Sequence, residues 1–155
     1  MNSKDLRLLE DLEQALVRGG LRLVYQPKVA AGDGALVRVE ALVRWTHSDL
    51  GAIPPARFVP LAEQHGLIDD LTQWALRTAL RQWRVWHAAG LDTALAVNIS
   101  AVSLEKLDFP DLVERLCRAL DVPTDRLVLE LTEGATQPLP LFTASALSAG
   151  PSAAK

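Results

Sequence analysis

The sequence predicts an α/β fold in which strands line part of a barrel and helices cover their outer face. Two observations carry this. From the second strand onward, strand-like runs and helical periodicities alternate as β, helix, β, helix, β, the order of parallel strands joined by right-handed crossovers. The runs 37–45, 94–100 and 127–132 also each divide into an apolar face and a face bearing a candidate oxygen ligand. Side chains alternate across a strand. Val37, Val39, Ala41, Val43 and Trp45 therefore lie opposite Glu40, Leu42 and Arg44, and Leu95, Val97 and Ile99 lie opposite Ala96 and Asn98. In the third run Leu127, Leu129 and Leu131 oppose Val128, Glu130 and Thr132. An open doubly wound sheet is covered on both faces and offers no lumen for such repeated polar groups. Barrel strands gather functional groups toward their C-terminal ends, and Glu40, Asn98 and Glu130 lie in the later part of their runs.

The elements follow in order. Residues 5–17 place Leu8, Leu12, Ala15 and Leu16 at helical spacing, and Gly19-Gly20 stops that helix. Residues 21–29 read as a strand whose Pro27 lacks a ladder donor and favours an edge. The short glycine-rich loop 30–34 implies antiparallel pairing with the next strand, because a parallel neighbour needs a crossover of about a dozen residues. Residues 46–55 form a long connection marked by Gly51, Pro54 and Pro55, and helix resumes at about Ala56. Over 67–88 a helical stripe runs through Leu71, Trp74, Ala75, Thr78, Gln82, Trp83 and Trp86, ending at Gly90. The strand 94–100, a helix over 111–120 and the strand 126–132 complete the pattern.

A chain of 155 residues, 49% hydrophobic, suits a single core. Its net charge of −3 gives no general attraction to nucleic acid or to an anionic membrane, so neither is an expected partner. No apolar run reaches the ~20 residues needed to span a bilayer, and residues 1–11 are too charged for a signal peptide. A cytoplasmic location is expected. Cys117, the one cysteine, sits with Val113, Leu116 and Leu120 on an apolar helix face and reads as a packed thiol.

Two carboxylates and an amide oxygen suit a hard divalent cation such as magnesium or manganese. The alternative for Glu40, Asn98 and Glu130 is separate ion pairs or hydrogen bonds in a polar lumen. His47, His65 and His87 lack the spacing of a zinc motif. For Trp45 an aromatic nucleotide platform competes with packing, whereas Trp74, Trp83 and Trp86 read as helix packing. Arg77, Arg81 and Arg84 read as a solvated helix face.

The run Val39-Glu40-Ala41-Leu42-Val43-Arg44-Trp45 resembles the signature of the EAL-domain family of bacterial cyclic di-GMP phosphodiesterases. Tyr25-Gln26-Pro27 precedes it as in that family, and the stretch GAIPPARFVPLAEQHGLI over 51–68 is similar to the family's connection into its next helices. Val97-Asn98-Ile99-Ser100 and Leu129-Glu130-Leu131-Thr132-Glu133 resemble two further family motifs in the expected order. The resemblance implies a modified (β/α)₈ barrel with its first strand antiparallel. It implies that Glu40, Asn98 and Glu130 ligate Mg²⁺ or Mn²⁺, and that Gln26 and Arg44 contact cyclic di-GMP. An ion pair between Arg44 and Glu40 is the other reading of that arginine. Glu133 would steady a loop near the active site, or stand simply as an exposed strand-end residue. The family reaction is metal-dependent hydrolysis of cyclic di-GMP to the linear dinucleotide pGpG.

The resemblance ends at Glu133, where the composition changes. Residues 135–154 have no charged side chain and are rich in Ala, Ser and Pro. No Asp follows Asp125, and the one later lysine is Lys155. The family's Asp-Asp-Phe-Gly motif, catalytic lysine, further glutamate and late glutamine are not found. The expectation is a truncated EAL domain over 1–134, roughly the first half of a barrel, followed by an atypical tail over 135–155. No complete set of catalytic residues is then expected, and the chain alone is expected to be inactive. Its open barrel edges would favour a homo- or hetero-oligomer. The competing readings are a non-catalytic cyclic di-GMP-binding or protein-interaction module and a non-functional gene remnant.

Overall fold

The computed structural model of the chain describes residues 2–106 and 108–132. Helix α1 (Ser3–Arg18) opens with the Asn2 side chain accepting from the Asp5 amide at 2.7 Å, which satisfies one of the helix's free N–H groups. Its buried stripe is Leu8, Leu12 and Ala15, as the sequence predicts. Gly19 and Gly20 adopt positive φ of 103° and 112°, a conformation open to glycine, and turn the chain into β1 (Leu21–Val29).

Strand β2 (Leu36–His47) organises the sheet. β1 pairs with it antiparallel along almost its whole length, from Leu21 opposite Trp45 to Lys28 opposite Arg38. Ala30 N–H donates to Ala35 O at 2.8 Å and closes the hairpin loop. On the other flank, β4 (Ala94–Ser100) runs parallel to β2 over Arg38 to Ala41, and β5 (Leu127–Thr132) runs parallel to β4 in full register. Among the described residues the order is β1-β2-β4-β5, so β1 is at an edge of the described sheet, where its Pro27 costs no ladder hydrogen bond on the outer side. The 46–55 connection contains a strand the periodicity does not reveal, β3 (Gly51–Ile53), which pairs antiparallel with Trp45, Thr46 and His47.

The helices pack on the apolar face. α2 (Pro55–Gln64) contributes Phe58, Leu61 and Ala62, and α3 (Ile68–Ala88) presents Leu71, Ala75, Leu76, Ala79, Leu80 and Trp83. That stripe is centred on Leu76 and Leu80, rotated from the predicted one. Thr78, Gln82, Trp74 and Trp86 lie at its margins, half-buried. Leu95, Val97, Ile99 and Ala41 meet α3 and the buried Phe109 and Cys117 of α5 (Phe109–Ala119). Burial pushes the Cys117 thiol pKa up, in keeping with a packed and unreactive group. A four-residue helix, α4 (Ala101–Leu104), is capped by Ser100 Oγ, which accepts from Val102 N–H at 3.1 Å.

Trp45 belongs to this core and is no nucleotide platform: it is 3% exposed and meets Phe58 edge-on at 5.5 Å. Trp83 Nε1 donates to Thr93 O at 2.7 Å and ties α3 to the entry of β4. Arg77 bonds Gln73 one turn away, and Arg84 faces Asp121 at 3.6 Å, the local pairs of a solvated helix face. Replacing the fully buried Leu76 by Ala is expected to cost about 2–5 kcal/mol in urea unfolding. Val85→Ala, at a position 62% exposed on the same helix, should stay within about 0.5 kcal/mol of the parent.

Candidate metal and dinucleotide site

Strand alternation decides which side chains meet. Register places Glu40 beside Ala96 and Asn98 beside Glu130, so Glu40, Asn98 and Glu130 emerge on one face of three adjacent strands. Gln26 stands opposite Glu40 and Arg22 opposite Arg44, which extends the same polar face across β1. All five residues singled out as ligands or dinucleotide contacts therefore share one face, away from the helices. Glu133, and the whole of 133–155, lie outside the described residues.

The two carboxylates are almost wholly enclosed, Glu40 at 1% exposure and Glu130 at 0%. Charge is supplied by two cations that sequence reasoning did not single out. Lys28 Nζ lies 3.4 Å from Glu40 Oε1, and Arg38 Nη2 lies 3.5 Å from Glu130 Oε2. Both were accessible by parity: Lys28 is two residues from Gln26, and Arg38 two residues from Glu40. The alternative reading of Arg44, an ion pair with Glu40, is not realised among the described residues. Arg44 Nη1 donates instead to Val43 O at 3.0 Å, which anchors the half-buried guanidinium to its own strand.

Among the described residues, neither oxygen of Glu40 nor Asn98 Oδ1 has a hydrogen-bond partner, although all three atoms are buried. Buried acceptors in this condition are costly unless something binds them. Hard oxygen donors from two carboxylates and one amide fit Mg²⁺ or Mn²⁺, and no sulfur or imidazole intrudes. Among the described residues no three His, Cys, Asp or Glu side chains are grouped to hold a metal ion, so a site on this face would need the Asn98 amide.

A cleft of about 350 Å³ lies elsewhere, on the helical side, between α1 and the end of β2. There His47 Nδ1 accepts from the amides of Asp49 and Leu50, and its Nε2 meets Asp11 at 2.6 Å. With both ring nitrogens engaged, His47 fastens α1 to the sheet and has no free nitrogen for chemistry.

Burial, and then the Glu40 carboxylate beside it, push the Glu130 pKa from 4.5 up to about 8, against the opposing pull of Arg38 and Lys28. With both groups ionised there is no proton between them, whereas a protonated Glu130 can donate to Glu40. A raised carboxyl pKa means that the folded state holds the proton more tightly than the unfolded chain. Stability is therefore greatest below the unfolded value and falls as pH rises from about 4.5 to about 8. Urea midpoints in the presence of chelator should drop across this window, and Glu130→Gln should flatten the drop. Equal slopes for the two proteins would refute this account.

The profile of the EAL domain family matches residues 9–145, running beyond the boundary that composition suggests at 134. The bifunctional diguanylate cyclase/cyclic di-GMP phosphodiesterase MucR of Pseudomonas aeruginosa is 44% identical over 131 residues, covering 84% of this chain and 19% of that protein. The cyclic di-GMP phosphodiesterase NbdA of the same organism is 40% identical over 134 residues, covering 86% and 17%. The chain thus spans about a fifth of the length of these curated relatives. Among solved structures, the MucR phosphodiesterase in complex with c-di-GMP superposes with a TM-score of 0.78 at 39% identity, over 91% of this chain and 57% of that one. The EAL domain of Xanthomonas citri FimX, also in complex with c-di-GMP, gives 0.71 at 28% identity, over 93% and 58%. The polar strand face, the antiparallel first pair and the family match agree: this chain belongs to the EAL domain family, and its sheet is part of the family's TIM-like barrel.

Proposed function

We propose that this chain carries the first half of a cyclic di-GMP phosphodiesterase centre, with Glu40, Asn98 and Glu130 as ligands of Mg²⁺ or Mn²⁺ and Gln26 and Arg44 as contacts to the dinucleotide. The observation that carries the reading is the emergence of three oxygen-bearing side chains on one strand face, where buried acceptors on Glu40 and Asn98 lack hydrogen-bond donors and Glu40 is faced by the Lys28 ammonium. Bound there, a divalent cation supplies Lewis acidity and a water of lowered pKa for attack on a phosphodiester. The protein's own contribution is placement. Glu40 and Glu130 would supply negative charge to the cation in an enclosed lumen, and Asn98 would add an oxygen donor without adding a further charge. Arg44, tethered through one of its five donors, keeps the rest of its fork for a phosphate.

Ligand binding without turnover is the expected behaviour of the chain by itself. Residues 134–155 include no Asp, Glu or His, so this stretch itself adds no carboxylate or imidazole toward a second metal position. The relatives' names and bound ligand favour cyclic di-GMP as the ligand. No described helix is long and apolar enough to cross a membrane, and a cytoplasmic site of action is part of the same proposal. A purely binding or interacting module is the second reading. It is favoured by β1 and β5 ending the described sheet, where strands of a partner or second copy can add.

Calorimetry with Mn²⁺ and cyclic di-GMP is expected to show metal-dependent binding, and chromatography to show no pGpG. Arg44→Met should weaken binding by about tenfold to a hundredfold, the worth of a charge-assisted hydrogen bond. Absence of heat under every metal condition would sink the ligand assignment, and pGpG production would overturn the prediction of no turnover.

A further inference from the structure

Lys28 lies two residues beyond Gln26 on the same face of β1, opposite Arg38. Its side chain crosses diagonally toward β2, and its ammonium lies 3.4 Å from Glu40 Oε1 and 3.5 Å from Gln26 Oε1. One cation thus touches both the carboxylate assigned to metal and the amide assigned to the dinucleotide. The two lumen cations differ in kind. Arg38 is enclosed with Glu130, their side chains 10% and 0% exposed, and its planar fork is fixed by that packing. The Lys28 side chain is 27% exposed, on a flexible four-carbon stem whose ammonium can withdraw toward water.

A +1 and a +2 charge cannot share one carboxylate oxygen in an enclosed lumen without strong repulsion. Even at the screening of bulk water that repulsion amounts to roughly a tenfold effect or more at about 4 Å, and it grows as the dielectric falls. We propose that the Lys28 ammonium competes with a divalent cation for Glu40, and that cation binding moves Lys28 off Glu40 and Gln26 together. Metal entry and release of the Gln26 side chain are then one event, so the metal prepares a dinucleotide contact it does not itself touch. The inference rests on the reading of Glu40 as a metal ligand.

The test uses the metal alone. Free Mn²⁺ is followed by electron paramagnetic resonance during titration of the parent chain, Lys28→Met and Lys28→Arg at one fixed pH. Lys28→Met is expected to bind Mn²⁺ about tenfold more tightly than the parent, and Lys28→Arg to resemble the parent. In the parent, the Lys28 side-chain ammonium resonance, assigned by its loss in Lys28→Arg, should shift on addition of Mg²⁺. Equal Mn²⁺ affinity in the parent and Lys28→Met, both binding, overturns the competition while leaving the metal site standing. No Mn²⁺ bound by either folded protein removes the metal reading, and the inference with it. Should Lys28→Met fail to fold, the parent's ammonium resonance decides: an unmoved signal in Mg²⁺-bound protein overturns the proposal.

Discussion

Two carboxylates enclosed on one face of a sheet, with a single amide between their strands, set the terms for this structure. Burying such charges is unfavourable unless positive charge comes with them. The lumen meets that requirement with Lys28 from the edge strand and Arg38 from the same strand as Glu40, each within 4 Å of one carboxylate. The compensation is partial, as the upward displacement of the Glu130 pKa shows. Replacing a buried ion pair by well-packed apolar side chains is often neutral or stabilising, so the electrostatics of this face are not what folding alone calls for. Stability resides across the sheet, where Leu95, Val97 and Ile99 pack on α3 and α5.

The division of labour between the faces was legible because it depends on strand parity, a property local to each segment. Within each run alternation sets Glu40, Asn98 and Glu130 opposite the apolar residues, and burying those apolar faces together puts the three on one side. The antiparallel first pair was legible from the brevity of the loop after Val29. Features that depend on meetings distant in sequence were less accessible. β3 has only Gly51, Ala52 and Ile53, and its pairing needs the far end of β2 to run past the last partner supplied by β4. α4 is a single turn whose existence rests on the Ser100 cap. The cationic partners required knowing that Lys28 stands opposite Arg38, which fixes which carboxylate each can reach.

Trp45 illustrates how a motif residue can be misread in isolation. It closes the signature run, and its neighbour Arg44 faces the lumen, yet parity turns the indole to the opposite side. There it joins Phe58 of α2 and the α1 stripe. The signature is thus two interleaved messages: Glu40 and Arg44 address the polar face of the sheet, whereas Ala41, Val43 and Trp45 address the helices.

The hairpin loop closed by Ala30 and Ala35 is far from any reacting group, yet it acts as the gauge of the site. Because β1 and β2 run in opposite directions, the loop's length, together with the one-residue register shift between Lys28 and Val29, decides that Gln26 meets Glu40 and Lys28 meets Arg38. One residue more or less, if transmitted into the ladder, would turn Gln26 and Lys28 to the helical side and bring Tyr25 and Pro27 into the lumen. A glycine-rich surface turn, with Gly32 and Gly34 at positive φ, thereby takes part in aligning side chains it never touches.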